Sequence, residues 1–147
     1  MPRLSKTIEY IINKQLIDYL ETNQLLSPTQ FGFRKKYSTK LALADLVVDI
    51  AEKLDSGLVT LGIFIDLRKA FDTLNHDTLL KKLEHYGVRG VPLLWFKNYL
   101  SNRQQFVSIN NTFSPRNIIE CGVPQVSILG PILFLFYIND ISNNLHR

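Results

Sequence analysis

Leu58-Val59-Thr60-Leu61-Gly62-Ile63-Phe64-Ile65-Asp66-Leu67-Arg68-Lys69-Ala70-Phe71-Asp72 changes character at its first charge. Residues 58–65 are apolar and β-branched, the pattern of a strand buried on both faces. An isolated carboxylate at the end of such a strand is costly unless something pairs with it. Asp66 therefore reads either as a ligand to a divalent cation such as Mg²⁺, which prefers hard oxygen donors on a rigid support, or as an acid capping the turn that follows. Arg68 and Lys69 come next, and a turn with free backbone N–H groups beside two cations suits a triphosphate. Phe71, five positions after Asp66, suits a wall for a sugar ring or a core aromatic beginning a helix.

Elements of alternating type flank this stretch. Leu4, Ile8, Ile11, Ile12, Leu16, Tyr19 and Leu20 recur at helical spacing, and the pattern fades near Ser27 and Pro28. A loop from Ser27 to Tyr37 follows. Ser38 can cap a second helix whose inward residues are Leu41, Ala44, Val47, Val48, Ala51 and Leu54, with Gly57 just past its end. After Asp66, Asn75 can cap a helix carrying Leu79, Leu80, Leu83 and Tyr86, ending at Gly87. Pro92 opens another through Trp95, Phe96, Tyr99 and Leu100. Gln105–Ile109 and Asn117–Glu120 flank Asn110-Asn111 and predict a hairpin or short edge strands. A last helix starts near Ser127 and runs into Asp140. The fold class is α+β.

The chain has 147 residues, 46% of them hydrophobic, which is enough for one domain or one piece of a larger one. No repeat or low-complexity tract is present. The single cysteine, Cys121, excludes an internal disulfide and a Cys-rich metal cage, and no secretory signal is seen; a reducing, intracellular setting follows as the expectation. Ile128–Ile138 is shorter than the roughly 20 residues of a membrane span and contains Gly130 and Pro131, so it reads as a buried helix and no membrane partner is expected. The net charge of +4 is matched by Arg34, Lys35, Lys36 and Lys40 alone, a cluster without an acid. Such a loop suits a phosphate-bearing partner or is simply solvated.

Three segments together carry a resemblance. The Asp66 stretch resembles motif A of reverse transcriptases. Gln30-Phe31-Gly32-Phe33-Arg34 resembles their fingers motif. Gly122-Val123-Pro124-Gln125, followed by Ser127-Ile128-Leu129-Gly130-Pro131, Phe134, Tyr137, Asn139 and Asp140, resembles motif B and its helix. The order is the family's, and the wording is similar to non-LTR, LINE-type retrotransposon enzymes. The resemblance implies a partial right-hand polymerase fold, with residues 1–57 fingers-like and 58–147 part of the palm. It implies RNA-directed DNA synthesis, with an RNA template, a DNA primer, dNTP and Mg²⁺ as partners.

Residue by residue, the resemblance implies that Asp66 binds the catalytic metal and that the backbone of Leu67, Arg68, Lys69 and Ala70 meets the dNTP. Phe71 would be the gate against a 2′-hydroxyl, Arg34 a triphosphate contact, and Gln125 a neighbour of dNTP and template. Two-metal nucleotidyl transfer needs further carboxylates, and the sequence contains no adjacent aspartate pair. In the family that pair lies on a hairpin after motif B, which would also flank residues 58–65. The expectation is a chain cut before the hairpin and the thumb, inactive and poorly soluble alone, with the missing C-terminal part of the polymerase as a partner. Val126 stands where the family has glycine, and its branched side chain resists positive φ. The rival reading is a catalytically dead nucleic-acid-binding or protein-interaction remnant; a phosphatase-like strand-end aspartate leaves the other motifs unexplained. His76, Asp77 and His85 read as exposed helix residues, and Asp72 as structural.

Overall fold

Helix α1 (Arg3–Thr22) begins a computed structural model that describes residues 3–124 and 126–141. Its apolar spacing predicts a buried stripe along the whole helix, yet only the second half supplies core residues. Leu16 and Leu20 are buried and Ile12 packs against them, whereas Leu4, Ile8 and Ile11 are exposed. The partner surface is short: α1 packs on α5 (Gly130–Ile138), which spans fewer turns than α1.

Helix α2 (Thr39–Asp55) begins where expected. Ser38 Oγ accepts the Leu41 amide at 3.2 Å, and Gly57, at φ 73°, terminates the helix. Its inward face is a correction: α2 has no buried residue, and Leu41, Val47, Val48 and Leu54 are exposed. Helical spacing specifies a stripe but cannot supply the surface that covers it.

The same physics corrects the strand. Residues 58–65 form no β-ladder, and Val59 is 97% and Phe64 87% exposed. An extended segment is a strand only where a neighbour takes up its N–H and C=O groups. Among the described residues, no backbone bond joins residues 59–66 to another element. Asp66 thus lies at the end of an exposed extended segment, not a buried strand.

The core forms from the remaining helices. Asn75 Oδ1 accepts the Thr78 amide at 2.9 Å to start α3 (His76–His85), and Pro92 lies in the first turn of α4 (Val91–Leu100). Leu79 and Leu83 of α3 and Phe96 and Leu100 of α4 meet Ile132, Leu133, Leu135 and Phe136 of α5 in one cluster, which Leu16, Leu20 and Leu26 complete. Between α4 and α5 lie two antiparallel ladders. The strand β1 (Gln104–Gln105) pairs with β4 (Asn117–Ile118), and β2 (Ser108–Ile109) pairs with β3 (Thr112–Phe113). Asn110 and Asn111, at φ 47° and 63°, make the tight turn between β2 and β3, as asparagines in a two-residue hairpin loop do. The architecture is a mixed α+β one, with small sheets beside a four-helix core. No helix among the described residues is long and apolar enough to cross a membrane.

Candidate functional site: the turn after Asp66 and the loop before α5

Residues 68–72 form turns rather than a helix start. Lys69 adopts φ 55°, and the Asp72 amide donates to the Lys69 carbonyl at 2.8 Å. Among the described residues, the amides of Leu67, Arg68, Lys69 and Ala70 donate to no protein acceptor, so the turn keeps N–H groups that an anion can take.

The loop before α5 fastens this turn. The Val123 amide donates to the Phe71 carbonyl at 2.8 Å, and the Gly122 amide donates to the Leu74 carbonyl at 2.7 Å. Cys121 Sγ donates to the Asp72 carbonyl at 3.3 Å. Gly122 is required by geometry: its φ is 84°, and a Cβ there would lie 2.8 Å from the Asp72 carbonyl oxygen. His76 is a correction to the exposed reading. It is half-buried, with Nε2 2.8 Å from the Gly122 carbonyl, so its ring braces the same loop. Asp77 and His85 are exposed, as expected.

Phe71 contacts two other rings. Its centroid is 5.0 Å from Phe134 of α5 and 6.0 Å from Phe33 of the Gln30–Arg34 segment. The three motif segments therefore meet at one side chain. On one side of the turn is a pocket of about 350 Å³ lined by Lys69, Ala70, Phe71, Asp72, Pro124, Ser127, Gly130 and Pro131. On the other is one of about 330 Å³ that includes Arg68, Lys82 and Phe134.

Arg34 is placed differently from its neighbour Phe33. Its Nε and Nη2 donate to the Glu21 carboxylate at 3.0 and 2.8 Å, and Nη1 donates to the Ser27 and Gln30 carbonyls. The guanidinium also lies 4.1 Å from the centre of the Tyr37 ring. This bidentate pair holds the Glu21 carboxyl below its usual range. The structure brings Phe33 to the turn and turns Arg34 back toward α1. Gln125 lies outside the described residues. Val126 is 77% exposed.

Asp66 is one hard-oxygen donor, and among the described residues no three His, Cys, Asp or Glu side chains come together as a metal cage. These residues do not by themselves fit a two-metal site.

The described residues thus form an α+β arrangement that joins an acid-turn-aromatic segment to a Gly-Val-Pro loop. The family model for reverse transcriptase (RNA-dependent DNA polymerase) matches residues 1–147, and the chain belongs to that family. It is 33% identical over 144 residues to a probable RNA-directed DNA polymerase from transposon BS of Drosophila melanogaster, covering 94% of this chain and 15% of that protein. It is 30% identical over 141 residues to the RNA-directed DNA polymerase from mobile element jockey of the same fly, covering 96% and 15%. A retrovirus-related Pol polyprotein from type-1 retrotransposable element R2 of Popillia japonica is 24% identical over 132 residues, covering 89% and 19%. These names agree with the non-LTR, LINE-type wording of the motifs. The chain spans about 15% of the length of the first two of these relatives.

Proposed function

We propose that this chain is the nucleotide-facing part of an RNA-directed DNA polymerase. On this reading residues 1–57 belong to the fingers and 58–147 to part of the palm of a right-hand fold, acting on dNTP, an RNA template and a DNA primer in an intracellular setting. The observation that carries it is the backbone clamp between Phe71–Leu74 and Gly122–Val123, which fastens the turn after Asp66 to the loop before α5 beside a pocket that both line. Phosphoryl transfer asks a protein for positioning and charge neutralisation rather than a nucleophile. Free amides at Leu67–Ala70 and the charges of Arg68 and Lys69 suit phosphate oxygens, while the Phe71 ring forms a wall for the sugar. Asp66 would supply one hard-oxygen ligand to a divalent cation such as Mg²⁺, which would neutralise charge on the phosphate oxygens. Gln125 borders the nucleotide and template, and Arg34 reaches a triphosphate by exchanging Glu21 for it.

Primer extension tests this reading. The segment is placed in the transposon BS polymerase in exchange for its matching residues, and incorporation is measured with and without Asp66→Asn. The expected result is extension by the chimera and a loss of at least about a thousandfold in the variant, as for a metal-bearing acid. Asp66-independent extension would overturn it. The 147-residue chain alone is expected to show no incorporation. A second reading, a binding remnant, draws on Lys35, Lys36 and Lys40, which are exposed while Arg34 is not. It predicts salt-dependent nucleic-acid binding that Asp66→Asn leaves intact and that loss of these lysines weakens.

A further inference from the structure

Glu9 is 1% exposed, a carboxylate inside the core cluster's edge, and it takes part in none of the ion pairs among the described residues. A charge so placed needs donors. Its Oε2 accepts the Ile128 amide at 3.0 Å, and its Oε1 accepts the Tyr99 hydroxyl at 3.3 Å. Burial pushes the Tyr99 phenol up from its ordinary value, which keeps it a donor.

The acceptor arrives where the loop before α5 lacks one. Leu129, the residue capping α5, offers no side-chain hydrogen bond, and the first turn of α5 contains no acid. Ser127 Oγ takes the Gly130 amide at 2.8 Å, and the Ser127 amide donates to Pro124 at 2.9 Å, which leaves Ile128 to find a partner elsewhere. A carboxylate from α1 supplies it, at the end of α5 where negative charge is favourable. Pro124, Ser127 and Gly130 of this turn line the pocket beside Phe71.

We infer that Glu9 is a positioning residue that fixes the Ser127–Gly130 turn lining the pocket, so that nucleotide affinity depends on a helix that does not touch the nucleotide. The inference rests on the proposed nucleotide-facing reading. Its test uses the 147-residue chain with two readouts: amide hydrogen exchange residue by residue, and affinity for dTTP in magnesium.

In Glu9→Leu, exchange at Ile128 rises about tenfold or more, the effect of losing a charge-assisted hydrogen bond, while the Leu79 and Leu83 amides are unchanged. In Glu9→Gln, which keeps an acceptor, it rises much less. Affinity for dTTP falls about fivefold or more in Glu9→Leu and less than about twofold in Glu9→Gln, one lost orienting contact being a fraction of total binding. If Glu9→Leu does not melt cooperatively, Glu9→Asp replaces it, the shorter acid failing to reach Ile128. Uniform acceleration of exchange, no acceleration, equal behaviour of Gln and Leu, or a released turn with undiminished dTTP affinity each overturns the inference. A wild-type chain that does not bind dTTP defeats the nucleotide-facing reading instead, while exchange at Ile128 still decides what Glu9 holds.

Discussion

Gly122 concentrates the demands of the site in one residue. Positive φ and the close approach of the Asp72 backbone, which leaves no room for a Cβ, both forbid a side chain there. Gly122→Ala is expected to cost about 2–4 kcal/mol, since strain and a backbone clash add, measured by urea unfolding. The sequence marks Gly122 as a motif letter; which backbone approaches it becomes visible only in three dimensions. Glu9 is the reverse case. It lies at helical spacing from Ile12, Leu16 and Leu20, so an acid on a core face was the available signal. His76, next to the predicted cap Asn75, gave none.

Two carboxylates contribute to the loss of stability in acid. Arg34 hydrogen bonds hold Glu21 below its ordinary 4.5, and Lys82 holds Asp140 below its ordinary 3.8. A folded pKa lower than the unfolded one gives stability that is present above the unfolded value and lost as pH falls through the folded one. The melting temperature should therefore hold from neutral pH to about 4.5 and then decline. Lys82→Met should soften the decline. The effect is modest, because the Glu21 and Asp140 side chains are 37% and 45% exposed.

At the scale of elements, caps and turns were readable and coverage was not. Ser38, Asn75, Pro92 and the Asn110-Asn111 pair mark their boundaries through local chemistry that needs no partner. The stripe of α2 and the strand-like 58–65 both needed one. An exposed apolar run with unpaired backbone invites association and proteolysis. Limited chymotrypsin digestion should cut first between Leu58 and Leu67, leaving α3–α5 intact. Val59→Lys together with Ile63→Lys should raise solubility several-fold while leaving the melting temperature within about 2 °C, because neither residue packs on the core. A large loss of stability would mean that the segment is covered in solution.

For the molecule as a whole, the core joins residues from Leu16 to Phe136, and one cooperative melt is expected of it. Leu79, fully buried at the centre of α3, should cost about 2–5 kcal/mol when replaced by alanine, by thermal or urea unfolding. The segments that meet at Phe71 are marked by their own residues; their junction is not, since aromatic contacts between distant segments leave no periodic trace.

That junction has a consequence for how the protein can change. The Phe71 ring is in contact with both Phe33 and Phe134. If it discriminates between sugars, it does so while also acting as a strut of the fold. Trimming it to admit a bulkier substrate would loosen the loop carrying Phe33 and the helix carrying Phe134 together. On the proposed reading, selectivity and foldedness are inherited as a single trait, and a lineage exploring new substrates must first find stability somewhere else in the chain.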